Sequence, residues 1–335
     1  MIRVKEDTII YVLCPAYTKT GGTELLHQLV HELNKQNKKA FITYFAYNES
    51  NDKYTDDSYK KYIKNYKLIN EILDLKNNII VFPEVFCDNV EQYKKCKKVM
   101  WWLSVDNYLE HYGVLESIKI IGFVNFLRKL KNEKVSFSNK NIYKMDYHLC
   151  QSYYAIDFLN RKGITNTGYL SDYINDIYLE QKKLDMSIKE NNILYNPKKG
   201  IKFTRQIMKY CPEFNWIPIQ NMTNDEVRDL LLKSKVYIDF GNHPGKDRFP
   251  REAASCGCCV ITGKRGSAKF YNDVPIEDEF KFKDKKSNIP QIAKCIEKCF
   301  NDYENQIKKF KEYKKFIMGE KKQFGIDVKN IFNSK

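Results

Sequence analysis

The sequence predicts an α/β protein built from two parallel-sheet domains. Short apolar segments rich in β-branched residues alternate with amphipathic helical segments, and this alternation occurs in two successive blocks. Continuous apolar runs are typical of parallel strands, because helices cover both faces of a parallel sheet. A polar segment around 172–191 separates the two blocks and is the predicted linker.

The first block begins with a strand, a glycine-marked turn and a helix. Its predicted strands lie at 8–14, 39–47, 78–84, 98–106 and 147–152. Thr23 is the predicted N-cap of the first helix, whose leucine and valine stripe ends near Asn37. A second helix is predicted at 154–163, closed by Gly163. The polar stretch 48–67 is predicted to be a surface insertion.

The second block repeats the alternation. Its predicted strands lie at 192–196, 214–219, 235–240 and 258–263. The intervening helices are predicted at 199–211, 224–235 and 250–257, the second of them capped by Asn224. Long lysine-rich helices close the chain from about residue 288.

Composition limits the class of protein. Hydrophobic residues make up 43% of the 335 residues and aromatic residues 14%, which excludes disorder of the whole chain. The formal net charge of +15 favours anionic partners such as nucleotide phosphates, a membrane face or nucleic acid. The alternative is that dispersed lysines cover solvated helix faces.

The ten cysteines are interpreted as free thiols in a reducing cytoplasm. The first residues lack a signal-peptide pattern, and no run of 18 or more apolar residues is present. Cys256, Cys258 and Cys259 are crowded, but no paired CxxC or nearby histidine cluster completes a zinc set. Buried small side chains are the preferred interpretation of this group.

Two strand-to-helix turns are candidate ligand sites, since ligands of open α/β sheets bind beyond the carboxyl ends of the strands. Gly21 and Gly22 follow the first strand and allow close approach of the backbone to an anion or sugar. The turn matches neither GxGxxG nor the Walker pattern, so a plain turn is an equal alternative. In the second block, Lys199 and Gly200 in YNPKKG would suit a diphosphate.

The strongest candidate is the stretch VYIDFGNHPGKDRFPREAASCGCCVITG at 236–263. A charged loop follows a buried strand, and Pro250 suits the first turn of the next helix. Glu252 stands near the start of that helix, where the helix dipole favours a carboxylate. A dipole partner is therefore the alternative to a binding role for Glu252. The small residues that follow predict tight packing against this helix.

The segment PREAASCGCCVITG resembles the helix-to-strand segment of retaining GT-B glycosyltransferases of the family-4 type. In that family a glutamate at this place binds the ribose of the sugar nucleotide, which implies this role for Glu252. The family's GG-x-E loop matches Gly21, Gly22 and Glu24, and its phosphate-binding Lys-Gly pair matches Lys199 and Gly200. The three matches extend over most of the chain.

The resemblance implies two Rossmann-like, doubly wound parallel-sheet domains that face a cleft, with C-terminal helices packing back. The implied domains are an acceptor domain at 1–172, a linker at 173–191 and a nucleotide-sugar donor domain at 192–310. The helices at 311–335 are expected to return to the first domain.

The donor loop departs from the family pattern. The family has a second glutamate eight positions before the first, where this chain has Pro244, and an arginine before the Lys-Gly pair is also missing. We expect Lys246, Arg248 and Arg251 to neutralise phosphate instead. The backbone of Gly266 and Ser267, after the next strand, is a further candidate contact. The departure leaves the donor and the stereochemistry open.

Transfer from a nucleotide sugar builds negative charge on the departing phosphate, which cations and helix N-termini can stabilise. No DxD motif stands at a strand end, which favours metal independence. Asp106 is the candidate catalytic base or sugar contact, and Trp102 and Asn107 are candidate walls of the acceptor site. The alternative for Trp101 and Trp102 is a place in the core.

The sequence therefore predicts a cytoplasmic glycosyltransferase for surface polysaccharide, capsule or lipooligosaccharide synthesis. It would use a UDP-, GDP- or CDP-linked sugar, hold no resident cofactor, act on a glycan or lipid-linked acceptor and contact the inner face of an anionic membrane. Nucleic acid is not an expected partner, because no RRM, KH, zinc-finger or helix-turn-helix pattern is present. A basic nucleic-acid-binding protein and an inactive nucleotide-sugar-binding module are the alternatives.

Overall fold

A computed structural model describes residues 1–48, 54–132, 140–179 and 185–333. The chain divides into two compact units. Unit 1 contains Met1–Asp172 and Lys322–Lys335, and unit 2 contains Tyr173–Lys321. Within the described ranges, no helix combines the length and the apolar character needed to cross a bilayer.

The helices and strands follow the alternation predicted from the sequence. The described strands are β1 (Ile2–Arg3), β2 (Ile9–Pro15), β3 (Lys39–Phe45), β4 (Tyr66–Leu68), β5 (Ile79–Pro83), β6 (Lys97–Trp102), β7 (Tyr147–Cys150), β8 (Thr167–Tyr169), β9 (Glu190–Tyr195), β10 (Asn215–Pro218), β11 (Ser234–Asp239), β12 (Cys259–Thr262) and β13 (Phe332–Asn333). The described α-helices are α1 (Gly21–Lys35), α2 (Val105–Tyr112), α3 (Val114–Ile121), α4 (Phe123–Asn132), α5 (Tyr153–Arg161), α6 (Ile201–Tyr210), α7 (Asn224–Lys233), α8 (Arg248–Ser255), α9 (Ile289–Asn301), α10 (Tyr303–Lys308) and α11 (Lys311–Ile331).

Unit 1 contains a seven-stranded parallel sheet in the order β4-β3-β2-β5-β6-β7-β8. The strand order reverses between β2 and β5, which creates a switch point where loops open a crevice. The central strands are buried on both faces, as their apolar sequences predict: Tyr11, Leu13, Ile80 and Phe82 are fully buried. A separate short pairing joins β1 to β13, with Ile2 opposite Phe332.

Unit 2 contains a four-stranded parallel sheet in the order β10-β9-β11-β12. Its switch point lies between β9 and β11, because β10 pairs with one edge of β9 and β11 pairs with the opposite edge. Ile193, Leu194, Val236, Tyr237 and Val260 form the buried centre of the sheet. The loops that leave β9 and β11 therefore start from the same edge of the sheet.

Two helix caps differ from the prediction. The N-cap of α1 is Thr20, whose side chain accepts a hydrogen bond from the Thr23 amide, and the Thr23 side chain bonds back to the Thr20 amide. Thr23 is thus the third helical residue of a capping box rather than the cap. In α7 the cap is Thr223, paired in the same way with Glu226, and Asn224 is the first helical residue.

Two element predictions in unit 1 are also wrong. The strand predicted at 98–106 ends at Trp102, because Ser104 caps α2 by accepting a hydrogen bond from the Asn107 amide. The helices α2, α3 and α4 that follow were not predicted. The stretch 48–67, predicted as a surface insertion, contains part of β4, which extends the sheet beside β3. Residues 49–53 of that stretch lie outside the described residues.

Three glycines bring the loops after β9, β11 and β12 into backbone contact. Gly200, Gly241 and Gly266 have φ values of 60°, 97° and 53°. A Cβ atom on Gly200 would lie 2.0 Å from the carbonyl oxygen of Phe240, and one on Gly266 would lie 2.0 Å from the carbonyl oxygen of His243. Each contact requires a residue without a side chain.

Substitution of Gly200 by alanine tests this contact. G200A should destabilise the protein by at least about 4 kcal/mol, because it adds a backbone clash to the strain of positive φ. G163A is the matched control: Gly163 has a φ of 74°, and a Cβ atom added there would meet no other atom within 4 Å. It should cost about 1–2 kcal/mol. Chemical unfolding of both variants measures the difference, and equal losses would contradict the backbone contact.

Candidate functional sites at the sheet edges

The first candidate site lies at the switch point of the unit 2 sheet. The loop after β9 leads to α6, with Gly200 as its N-cap, and the loop after β11 leads to α8, with Asp247 as its N-cap. The contact of Gly200 with the Phe240 carbonyl holds the two loops together. Two helix N-termini therefore begin at one edge of the sheet, where unpaired backbone N–H groups favour an anion.

A charged cluster lies at these helix starts. The Lys199 ammonium is 2.9 Å from Oδ1 of Asp239, contacts the Asp247 carboxylate and is 3.0 Å from Nδ1 of His243. Asp239 and His243 are buried. The ligand atoms of Asp239, His243 and Asp247 lie within 4.8 Å of one another, a spacing that could suit a metal ion. In this structure the ammonium group of Lys199 contacts all three of these residues.

The cluster favours the charged forms of Lys199 and Asp247. Burial acts to lower the pKa of Lys199, but the carboxylates of Asp239 and Asp247 outweigh it and raise that pKa. Burial likewise acts to raise the pKa of Asp247, yet Lys199 and His243 hold it well below its usual range. The predicted phosphate ligand Lys199 is therefore an ammonium that two carboxylates already balance. Nothing in the sequence pattern indicated this pairing.

Lys246 and Arg251 share a second buried carboxylate, Glu320 of α11. Nζ of Lys246 lies 2.6 Å from Oε1 of Glu320, and an Arg251 guanidinium N–H donates to Oε2 at 2.9 Å. Arg251 also donates to the carbonyl oxygens of Lys246 and Asp247. Both cations thus share one carboxylate inside unit 2. Sequence reasoning missed Glu320 because it lies 69 residues from Arg251.

The remaining predicted donor residues lie on or around α8. Arg248 is the first residue of that helix and is half-buried, while Glu252 is buried. Burial and the nearby Glu252 carboxylate raise the pKa of Tyr178. Ser267 donates its backbone N–H to the His243 carbonyl at 2.9 Å and its hydroxyl to the Gly245 carbonyl at 2.5 Å. Gly266 and Ser267 therefore brace the loop between β11 and α8.

The second candidate site lies at the edge of the unit 1 sheet. Gly21 and Gly22 are the first two residues of α1. A Cβ atom on Gly22 would lie 3.7 Å from Cδ1 of Leu103, so this helix start faces the loop after β6. Glu24, which completes the GG-x-E pattern, accepts a hydrogen bond from the Tyr62 hydroxyl at 2.8 Å.

Asp106, Asn107 and Trp102 occupy different environments. Asp106 is buried and accepts a hydrogen bond from the Tyr154 hydroxyl at 2.9 Å. Asn107 is exposed. Trp102 is fully buried and donates its indole N–H to Nδ1 of His148 at 3.0 Å. This burial fits the core interpretation of Trp102 rather than that of a wall for a sugar ring.

Glu84 is a buried carboxylate that sequence reasoning missed. It follows β5 directly and accepts a hydrogen bond from the Leu103 amide at 3.1 Å. Burial raises its pKa to about 7, against the opposing effect of hydrogen bonds that include Leu103, Asn107 and Ser104. Its position at the carboxyl end of a central strand was the available signal. The sequence pattern predicts a strand through residue 84, whereas β5 ends at Pro83.

The structure is similar to solved glycosyltransferase structures over most of the chain. A glycosyltransferase from Rickettsia africae ESF-5 has a TM-score of 0.63 and 13% identity, covering 97% of this chain and 96% of that one. HepE of Anabaena in complex with UDP and glucose has a TM-score of 0.61 and 12% identity, covering 96% of this chain and 98% of that one. An α-glucosyltransferase in complex with UDP and a 13-mer DNA has a TM-score of 0.55 and 11% identity, covering 96% of this chain and 100% of that one.

No protein-family model matches the chain, and no curated protein sequence matches it. The structural similarities establish the fold. The chain has a GT-B-type fold with parallel α/β sheets, and the fold prediction is confirmed.

The Glu320 network generates a prediction about stability. E320Q should destabilise the protein by about 3–5 kcal/mol, because it removes the charge of the buried carboxylate that Lys246 and Arg251 share. D176N is the matched control, since Asp176 pairs with Lys321 on the surface and both side chains are at least half exposed. It should change stability by less than about 1 kcal/mol. Thermal unfolding that ranks D176N with E320Q would contradict the assignment.

The raised pKa of Glu84 predicts a pH effect. Its ordinary value is 4.5 and its value in the folded protein is about 7, so protonation favours the folded state. The stabilising contribution is complete below about pH 4.5 and is lost as the pH rises through 7, by about 3 kcal/mol. E84Q removes this dependence. The melting temperature of E84Q relative to wild type should therefore rise between pH 5 and pH 8, and a constant difference would contradict the prediction.

Proposed function

We propose that the protein is a glycosyltransferase that moves a sugar from a nucleotide-sugar donor to a glycan or lipid-linked acceptor. The observation that carries the proposal is the edge of the unit 2 sheet. There the starts of α6 and α8 follow two strands on either side of a switch point, and glycine contacts hold their loops together. Such an edge suits a diphosphate. The GT-B-type fold supports the same function.

The donor would bind at this edge through backbone N–H groups and cations. Arg248 stands at the start of α8 and Lys199 directly before the α6 cap. The resemblance assigns the ribose to Glu252. Negative charge that develops on the departing diphosphate would be stabilised by these groups. Solved structures with this fold contain UDP, and UDP, GDP and CDP are the donors to be compared.

The acceptor would bind at the edge of unit 1, near Gly21, Gly22 and Asn107. Asp106 is the proposed base or sugar contact, and its hydrogen bond from Tyr154 would fix the carboxylate in one orientation. Retention of configuration and independence of metal are part of this proposal. Comparing the anomeric products, and the rates with and without a chelator, tests the two points separately.

The proposed setting is synthesis of a surface polysaccharide, capsule or lipooligosaccharide in the cytoplasm, at the inner face of the membrane. The net charge of +15 supports contact with an anionic bilayer. The same charge supports a second candidate, a nucleic-acid-binding protein. One solved structure with this fold holds UDP together with DNA. A filter-binding assay with DNA and RNA, with and without UDP, distinguishes the candidates, and hydrolysis of a donor sugar excludes an inactive module.

Nucleotide binding is the direct test of the proposal. At least one of UDP, GDP and CDP should raise the melting temperature, by an amount that corresponds to about 2.7 kcal/mol at a hundred times Kd. E252A should weaken that nucleotide by at least about tenfold, because hydrogen bonds to a charged group contribute about 1.5–3 kcal/mol. E297A, on the exposed side of α9, is the control and should bind normally.

Two results would contradict the donor site. One is a melting temperature that none of the three nucleotides changes. The other is an E252A variant that binds the nucleotide as tightly as wild type and E297A do.

A further inference from the structure

An exposed apolar surface lies on α3 and α4 of unit 1. It consists of Leu115, Phe123, Val124, Leu127 and Leu130, whose exposed fractions are 68%, 60%, 64%, 48% and 36%. We call these five residues the α3–α4 apolar surface. Clustered large apolar side chains at a protein surface mark sites of interaction.

The pattern of α4 is that of a helix lying at an interface. Phe123, Leu127 and Leu130 follow one another at i, i+4 and i+7 and therefore share one face of the helix. Phe126, on the neighbouring strip of the same helix, is buried and anchors α4 in unit 1. The helix is thus attached to the unit by one side while its leucines remain in solvent.

The charge on α4 is entirely positive. Its sequence FVNFLRKLKN contains Arg128, Lys129 and Lys131 and no acidic residue. Arg128 and Lys131 are exposed. An amphipathic helix that combines exposed leucine and phenylalanine with basic residues is typical of binding to the headgroup region of a membrane.

A cavity adjoins the same surface. It has a volume of about 720 Å³ and is lined in part by Val114 and Leu115 of α3. Three basic residues also line it and are exposed, namely Lys140, Arg161 and Lys162, and Arg161 pairs with Asp157, which lines the cavity as well. The cavity beside Leu115 therefore has more basic than acidic side chains in its lining and has room for a headgroup. This arrangement complements an anionic lipid, which presents a phosphate and an apolar tail together.

We propose that the α3–α4 apolar surface docks on an anionic lipid bilayer, with Arg128 and Lys131 at the lipid phosphates. The inference deepens the membrane contact of the proposed function, on which it rests, and assigns that contact to α3 and α4. A second copy of this chain fits the surface poorly as an occupant. Two copies of α4 would bring like charges together in a protein whose net charge is +15.

Co-sedimentation of the full chain with vesicles tests the proposal. We expect binding to vesicles of phosphatidylcholine and phosphatidylglycerol in equal parts, weakening as salt increases, and little binding to phosphatidylcholine alone. L127E should weaken binding by at least about tenfold, because it replaces an inserted apolar side chain by a negative charge. L75E is the matched control: Leu75 is 52% exposed in the same unit but lies outside the surface, and its substitution should leave binding unchanged.

A second variant keeps the test independent of folding defects. R128Q/K131Q retains the apolar side chains and should weaken binding to anionic vesicles by about fivefold for each charge removed, with a shallower salt dependence. Thermal unfolding of each variant shows whether it is folded.

Normal binding by L127E, or an equal loss in L75E, would overturn the proposal. So would a lipid-free dimer of the wild type that L127E converts to a monomer, which would identify a second copy as the occupant. The thermal shift of L127E with UDP should equal that of wild type. Failure of membrane docking is therefore distinguishable from failure of donor binding.

Discussion

The close approach of Gly200 to the Phe240 carbonyl is the constraint on which the unit 2 site depends. A parallel sheet with a switch point directs the loops after β9 and β11 to opposite faces. Their backbones touch only because neither Gly200 nor Gly241 has a side chain and both adopt positive φ. The contact of Gly266 with the His243 carbonyl brings the loop after β12 against the loop after β11 as well. The two helix starts are thereby held as a pair.

Buried charge is the second constraint, and it determines what a ligand would encounter. The Lys199 ammonium and the pair of Lys246 and Arg251 each have carboxylate partners within unit 2. Such networks contribute little net stability but make the loss of one partner costly. A diphosphate near Lys199 would compete with Asp239 and Asp247 for the same charge. In the proposed mechanism the backbone N–H groups of the helix starts would therefore carry a large share of the contact with the diphosphate.

Local patterns predicted most strands and helices, because apolar runs and helical stripes depend on neighbouring residues. The two capping errors have a physical origin: several Thr and Asn residues in one turn can each cap, and the backbone angles that decide between them are set by tertiary structure. The partners of the site residues were harder to predict. Glu320 and Glu84 are distant in sequence from Arg251 and Leu103, and a single sequence contains no signal of such contacts.

The two sheet edges differ in the groups that they present, and this difference matches the proposed chemistry. The unit 2 edge combines two helix N-termini with cations that are paired to carboxylates, whereas the unit 1 edge contains the carboxyl groups of Glu84 and Asp106. Glycosyl transfer needs positive groups where the diphosphate departs and a proton acceptor where the acceptor hydroxyl reacts. Glu84, with its raised pKa and its hydrogen bond from Leu103, would hold the loop that presents Asp106. Its protonation state would then affect the position of that loop rather than the chemistry itself.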